Sequence, residues 1–491
     1  MRLKVKDVKL STGGPYVAIL NSWDAEKLDL TALDRVRLVD KNKWLVVFLD
    51  ISRKGIKPGQ IGLFDEVLNA LKVKNNEIIN VHHEKKPESI YIIKKKLSGD
   101  ALSKEEVEEV VKDVIVNKLS VVDLTYFVSA CYTRGLNDDE VLALTNAMVK
   151  YGGKLNVKQK IIADKHSIGG VANNRTTMLV VPIVAAAGVT IVKTSSRSIT
   201  SPSGTADTVE VLAPVALTRE KIKKVVQKTN ACMVWGGAIE LASADDAFIN
   251  VERVLALDPE GMLLASILAK KKSVGATHVL IDIPVGIGAK FEDMRQARRL
   301  AKRFVRLGNK LGMKIKVVIT DGSQPIGNGI GPVLESRDVI EVLNGDGPED
   351  LRKKALYMAG VLLEMVGFKD SYKLATEILD SGKALKKFRQ IIKAQGGNPN
   401  FRLDKLQPGS YRMDIYAKKD CIVRHINNKN ISKLARIAGA PKDKRAGVYL
   451  HYHIGSKMNK GDVMFTVYAE NKRRLEFVKE FLEKVNVMGG C

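Results

Sequence analysis

Between Lys158 and Leu406 the chain repeats one phrase: a short apolar strand, a turn rich in glycine or hydroxyls, then a stretch with helical period. KQKIIADKHS leads through Gly-Gly into TTMLVVPIVAAAG, and VTIVKTSSRS follows. Further on come THVLIDIPVG, a basic helix from Asp293, and KIKVVITDG. This alternation constrains the fold strongly, because successive strands joined by helices lie parallel and are covered by those helices. The pattern predicts an α/β domain over 158–406 with a mostly parallel sheet. In such sheets ligands collect at the carboxyl ends of the strands, where the next helix begins with unpaired backbone N–H groups. The turns after the strands are therefore where a site is expected.

The flanking regions read differently. Residues 1–89 hold short strand-like runs, LKVKDVKL, YVAIL, RVRLVD and KWLVVFLDI, separated by Gly, Pro and Asn turns, which predicts an N-terminal β-rich domain. Within it AEKLDLTALDRVRLVD resembles the strand–helix–strand phrase of double-psi β-barrels. Residues 90–157, with part of 240–272, read as a helical domain: SKEEVEEVVKDVIVNKL opens on a capping box, Ser103 with Glu106. VVDLTYFVSACYTRG and DDEVLALTNAMVKYG then each stop at a glycine. From 407 to 491 the chain turns strand-rich and closes on the amphipathic helix NKRRLEFVKEFLEKV, a C-terminal α+β domain. HYHIG in that region alternates and is expected to be a strand rather than a metal site.

Lys and Arg outnumber Asp and Glu by 80 to 55, a net charge of +25. The excess is scattered, and few aromatics lie beside the basic runs Lys94–Lys96, Lys270–Lys272 and RRLAKRFVR to stack on bases. The charge thus suits small anionic substrates or a solvated surface better than nucleic acid, and no nucleic-acid partner is expected. The four cysteines show no CxxC spacing and no metal-ligand pattern is apparent, so no metal is expected. The longest apolar run, MLVVPIVAAAGVTIV, is shorter than the ~18 residues of a membrane span and holds Pro182 and Gly188. MRLKVKDVKL is no targeting segment. A cytoplasmic protein without a membrane partner is expected.

Three turns of the α/β segment have the composition of an anion site: Lys165-His-Ser167-Ile-Gly169-Gly170, the hydroxyl-rich SSRSITSPSGTADTVE from Ser195, and Thr320-Asp-Gly-Ser. Glycine lets backbone approach an oxyanion, hydroxyls and N–H groups donate to it, and lysine supplies charge. Gly169-Gly170 is equally compatible with a plain tight turn before a helix.

These stretches resemble the thymidine and pyrimidine nucleoside phosphorylase family. KHSIGGVANN is similar to its phosphate loop KHSTGGVGD, and SSRSITSPSGTADTVE to its signature SGRGxxxTGGTxDxxE. ASILAKK and TDGSQPIGNGIGPVLE are similar to ASILSKK and TDMxQPLGxxxGNxLE, and RMDIYAKKDCIV through YHIGSKMNKGDVMFTVYA resembles the final domain. The likeness runs from about Lys94 to the end. It departs where the nucleoside enzymes carry Y-x-x-R-D: here NVERVLALD puts Val251 and Glu252 in place of Arg-Asp, with Arg253 out of register. Ser196 and Ser198 stand where that family has glycine, and the β-rich extension is additional. Together these features resemble the family's archaeal AMP phosphorylase branch, which implies phosphorolysis of nucleoside 5′-monophosphates (AMP, and CMP and UMP besides) to free base and ribose 1,5-bisphosphate.

The resemblance implies roles residue by residue. Lys165, Ser167, Thr176 and Ser195 match positions around the attacking phosphate. Gly170, Ser196, Arg197, Ser198, Ile199, Thr200, Ser201 and Thr205 match positions on the nucleotide, and Ser266 and Lys290 match positions on the base. Arg197 is read either as a phosphate partner or as a salt-bridge brace of its loop, and Lys270 either as a base-side lysine or as solvated. Asp258 matches the acid that protonates the leaving base, a role that calls for burial or a neighbouring carboxylate such as Glu260 or Glu252. Read without the family, Asp258-Pro259 is a helix N-cap followed by proline at N1. No cofactor is implied, inorganic phosphate being a cosubstrate. The expected partners are a nucleoside monophosphate, phosphate and a second copy in a homodimer or larger homo-oligomer. A site between helical and α/β domains is implied, closing at hinges near Tyr151–Gly153 and Val274–Ala276. The alternatives are a uridine or thymidine phosphorylase, an anthranilate-type phosphoribosyltransferase and, remotely, a nucleic-acid-binding protein.

Overall fold

The computed structural model describes residues 1–198, 201–239, 241 and 243–490. It divides into two compact units, Met1–Gly152 with Ala242–Ala269, and Gly153–Leu241 with Lys270–Cys491.

The first unit begins with a closed barrel of six strands, β1 (Arg2–Asp7), β2 (Val17–Asn21), β3 (Arg35–Asp40), β4 (Lys43–Ser52), β5 (Gln60–Leu63) and β6 (Ile78–His83), in the order β1-β5-β2-β4-β3-β6. The pairs β1–β5 and β2–β4 are parallel, so the barrel is not an up-and-down meander. Alternation puts Leu3, Val5, Ala18, Leu20, Val36 and Leu38 inside and leaves Arg2, Lys4 and Arg37 outside. Helices Ser89–Ser98, Lys104–Ile115, Val121–Arg134 and Asp138–Tyr151 follow. The Ser103–Glu106 capping box is present, and Ser120 and Asn137 cap the next two helices in the same way. Helix Ser243–Leu255 returns to complete this bundle, its Phe248 ring 5.5 Å from that of Phe127. Arg35 of β3 joins barrel to bundle, pairing with Asp123 at 2.6 Å and donating to the Lys118 carbonyl at 2.6 Å.

The second unit holds the parallel sheet, β7 (Ile162–Ser167), β8 (Thr190–Ser195), β9 (Ala231–Trp235), β10 (His278–Val285) and β11 (Lys314–Asp321), in the order β11-β10-β7-β8-β9. The chain runs outward from β7 in one direction through β8 and β9, and in the other through β10 and β11, so β7 marks the switch point. β10 pairs with β7 over five residues and β8 with β9 over five, but β7 pairs with β8 only at Ile162 and Ala163. Beyond Ala163 the ladder between the two strands ends, at the switch point where open α/β sheets bind ligands. Helix Thr176–Ala186 is buried along most of its length, which its all-round apolar sequence requires. The basic helix expected from Asp293 runs over Met294–Lys310, and Asp293 caps it by accepting from the Arg295 N–H.

The C-terminal part is a four-stranded antiparallel sheet of Gly329–Ile330, Gly447–Leu450, Val463–Ala469 and Tyr411–Tyr416, covered by helices Asn428–Ala438 and Lys472–Lys484. The strand expected through HYHIG stops at Leu450. Beyond it the rings turn to side-chain partners, His451 to Thr466 Oγ1 and His453 to Asn328 Oδ1, each at 2.9 Å. The basic runs are not wholly solvated either. Lys96 is buried against Glu140 at 2.6 Å and Lys271 against Asp164 at 2.7 Å, because each helix turns one lysine of its run inward. Among the described residues no helix is long and apolar enough to cross a membrane.

Candidate active site

The turn after β7 has its conformation set by Gly169 and Gly170, with φ of +93° and +88°. A side chain at Gly170 would drive its Cβ into the Lys290 backbone nitrogen, far inside van der Waals contact. Glycine there brings two of the expected site residues into contact. The turn runs into helix Thr176–Ala186, whose N-cap residue, Arg175, makes no side-chain cap bond. The Met178 N–H of its first turn is taken by the Arg175 carbonyl at 2.9 Å, while helix N-termini of this kind favour an anion beside them.

Lys165, fully buried, donates to Thr176 Oγ1 at 2.8 Å, so two residues expected around phosphate meet directly. Burial lowers its pKa to about 8, Asp282 on β10 opposing that fall. Asp282 is wholly buried and central. It accepts from Ser167 Oγ at 2.9 Å, Asn174 Nδ2 at 3.1 Å and Thr320 Oγ1 at 2.6 Å, with Lys165 at 4.0 Å and Lys354 at 3.4 Å. Asp164 is likewise buried, with Lys271 at 2.7 Å and Lys193 at 4.0 Å. Lys193 Nζ also donates to the Lys165 carbonyl at 2.8 Å, filling part of the gap between β7 and β8. Burial drives the Lys193 ammonium well below its ordinary value, and that of Lys354 down as well. In this cluster three buried lysines and the half-buried Lys354 share two carboxylates. Burial disfavours the charged forms of these amines, and an anion bound among them would favour their protonation.

The hydroxyl loop leaves β8 at Ser195, whose Oγ donates to the Val234 carbonyl at 3.3 Å. The loop is folded around Asp207, which accepts from the backbone N–H of Ser198 at 2.7 Å and of Gly204 at 2.8 Å. Of the two roles weighed for Arg197, the geometry shows the brace. It forms two bonds to Glu210, at 2.6 and 2.8 Å, one to Asp207 at 3.2 Å, and lies over the Trp235 ring. The Arg197 hydrogen bonds hold the Glu210 carboxyl at about 2, with Lys444 adding to them. Ser198 and Ser201 donate to the carbonyls of Ser201 and Ser203, while Ser196 is exposed. Ile199 and Thr200 lie outside the described residues.

Arg175 ties the two loops together. Its Nη1 donates to Thr205 Oγ1 at 3.0 Å, its Nη2 to the Ser203 carbonyl at 2.7 Å, and its Nε pairs with the fully buried Glu335 at 2.5 Å. With the Thr205 oxygen already accepting, its own proton is free to be aimed at an anion.

Asp258 and Ser266 belong to the other unit. Ser266 Oγ donates to the buried Asp245 at 2.9 Å. Asp258 is exposed, so of the two surroundings expected for its role, burial or a neighbouring carboxylate, burial is not the one present. Nor does it occupy the N-cap position. Helix Glu260–Ser273 starts one residue later than the sequence suggests, the Pro259 carbonyl accepting from Leu263 N–H at 3.0 Å, which makes Pro259 the N-cap residue. Lys270 is half-buried.

The sequence reading gave no role to Asp282, Asn174, Arg175, Asp207 or Glu335. Asp207 and Glu210 fall on the two acids of the signature, so a signal for them was present. Asp282 lay in an apolar strand, where an isolated acid has no local explanation.

Comparison with known proteins agrees with this architecture. Residues 90–152 match the glycosyl transferase family helical bundle domain, 159–385 the glycosyl transferase family a/b domain, and 422–487 the pyrimidine nucleoside phosphorylase C-terminal domain. The chain is 46% identical over 480 residues to the AMP phosphorylase of Pyrococcus furiosus, covering 97% of this chain and 95% of that protein. It is 44% identical over 487 residues to that of Natronomonas pharaonis, covering 98% and 96%. Among solved structures, anthranilate phosphoribosyltransferase from Thermus thermophilus shares the fold, with a TM-score of 0.53 at 19% identity over 62% of this chain and 98% of that one.

Proposed function

The chain belongs to the AMP phosphorylase branch of the thymidine and pyrimidine nucleoside phosphorylase family and is a pentosyltransferase; from that premise we propose that it cleaves AMP with inorganic phosphate to adenine and ribose 1,5-bisphosphate, and accepts other nucleoside 5′-monophosphates such as CMP and UMP. The observation that supports this best is the cluster of three buried lysines and the half-buried Lys354 over two aspartates at the sheet's switch point, amines whose charged forms a bound anion would favour. Val251 and Glu252 stand in place of the Arg-Asp whose arginine holds a pyrimidine carbonyl in the nucleoside enzymes, which disfavours a uridine or thymidine phosphorylase.

In this reading phosphate is held by Lys165, Ser167, Thr176 and Ser195. Gly170, Thr205 and the loop Ser196–Ser201 hold the nucleotide, and Ser266 and Lys290 hold the base. A phosphate oxygen attacks C1′, the C1′–N9 electrons leave with the base, and the carboxyl proton of Asp258 passes to N7. The phosphate is already anionic, so the protein's contribution at that end is to hold and orient it. The chemistry needs no metal or organic cofactor. The working form is a homodimer or larger homo-oligomer.

Free-base release from AMP, CMP, UMP, adenosine and uridine, each with and without phosphate, tests the reading. Phosphate-dependent release from the monophosphates alone is expected. Release from the nucleosides instead would replace it with a nucleoside phosphorylase.

A further inference from the structure

Ser167 stands between a buried amide and a buried carboxylate. Its Oγ accepts from Asn174 Nδ2 at 3.0 Å and lies 2.9 Å from Asp282 Oδ2. Burial pushes the Asp282 carboxyl up, but Lys354 and Lys165, with hydrogen bonds from Thr320 and Asn174, outweigh it and hold the group below the usual value. Asp282 is therefore ionised at neutral pH and only accepts. The single proton of Ser167 goes to it. With the Asn174 donor on one lone pair, the hydroxyl turns its other lone pair outward. An oxygen fixed in this way opposes a bare oxyanion oxygen and welcomes one that carries a proton.

We propose that Asp282, acting through Ser167, sets the phosphate turn to take a protonated oxyanion, admitting monohydrogen phosphate or arsenate and discriminating against sulfate. The inference rests on the reading of Ser167 as a phosphate ligand. Asp282 is a positioning residue, and Ser167 determines specificity by direct contact. The charged groups around Asp282 are Lys165 of β7 at 4.0 Å and Lys354 of helix Glu349–Met365 at 3.4 Å. Thr320 of β11 and Asn174 of the turn are neutral. Sulfate and monohydrogen phosphate carry the same charge on nearly the same tetrahedron, so these cations alone would bind them equally. The proton is what separates the two anions. Directing the P–OH to Ser167 also leaves unprotonated oxygens for the attack on C1′.

Isothermal titration of the full chain near pH 7.5 with inorganic phosphate, arsenate and sulfate tests this. Phosphate and arsenate should bind within about threefold of each other, and sulfate roughly tenfold to a hundredfold more weakly, the range for leaving a buried acceptor facing an acceptor. Ser167→Ala, which removes the lone pair without unbalancing the lysines as Asp282→Asn would, should still bind both anions through Lys165. Its phosphate-to-sulfate ratio should fall to within about threefold. Equal binding of sulfate and phosphate by the wild type, or a ratio unchanged in Ser167→Ala, overturns the proposal. If phosphate-dependent base release is seen beside equal sulfate binding, the proposal fails alone. If neither base release nor binding of any oxyanion is seen, the reading of the turn as a phosphate site fails and takes the proposal with it.

Discussion

Lys165 must carry its charge to hold an anion, and its burial works against that. With its pKa lowered to about 8, chiefly by burial, with Asp282 opposing and Lys354, Arg175 and Lys271 adding to the fall, the ammonium persists below that pH and is lost above it. The phosphate KM is therefore expected to rise as pH passes through about 8, by roughly tenfold per further unit. In Lys165→Met this alkaline limb should vanish together with most phosphate affinity; a phosphate KM flat from pH 7 to 9 in the wild type would contradict the assignment. Asp258 offers a second test. Asp258→Asn, a near-isosteric change at an exposed residue, should lower stability by no more than about 1 kcal/mol. Its kcat for AMP should fall by about 10²–10⁴ if it is the general acid. A stability loss with kcat retained would return Asp258 to a structural role.

The turns are legible from sequence as individual loops, but not as a joined set. KHSIGG and the serine-rich stretch announce themselves by composition, and the strand–turn–helix alternation places them at strand ends. What joins them comes from distant positions. Arg175, the turn Ser203–Thr205 and Glu335 lie far apart along the chain yet form one connection. Asp282 gathers Ser167, Asn174 and Thr320 from three segments. A lone acid in IDIPVG has no periodicity to give it away, since its partners are assigned only once β10 lies beside β7. For the same cause nothing local tells that Lys96 and Lys271 turn inward from their basic runs, and alternation alone overextended the strand at HYHIG. Arg175→Ala should lower stability by about 3–5 kcal/mol, the cost of breaking a buried pair, because it strands Glu335, whose carboxyl burial already pushes up. Urea unfolding would measure it. Gly170→Ala collides with the Lys290 nitrogen at a φ of +88°, so a loss of about 1–3 kcal/mol and a raised nucleotide KM are expected together. Wild-type kinetics in that variant would dissociate Gly170 from Lys290.

The whole molecule carries +25, and its substrates in the proposed reaction are anions. Capture should consequently be salt-sensitive: kcat/KM for AMP is expected to fall several-fold between low and physiological ionic strength, with kcat little changed. Stopped-flow or initial-rate measurements across a salt series check it. The fold class was readable at this scale because it rests on periodicity, which every segment carries. The discontinuity of the first unit was only partly readable, since nothing local in 242–269 says which neighbours it joins. That discontinuity bears on the order in which a growing chain can acquire structure. The barrel is finished by His83 and can form as soon as it leaves the ribosome. The bundle cannot, because Phe127 waits for Phe248, and Leu136 for the close approach of Gly261, while the intervening β7, β8 and β9 themselves wait for β10 and β11. For a long stretch of synthesis two incomplete apolar cores coexist on one nascent chain. That interval is when this protein is most exposed to misassembly and most dependent on whatever shields nascent chains.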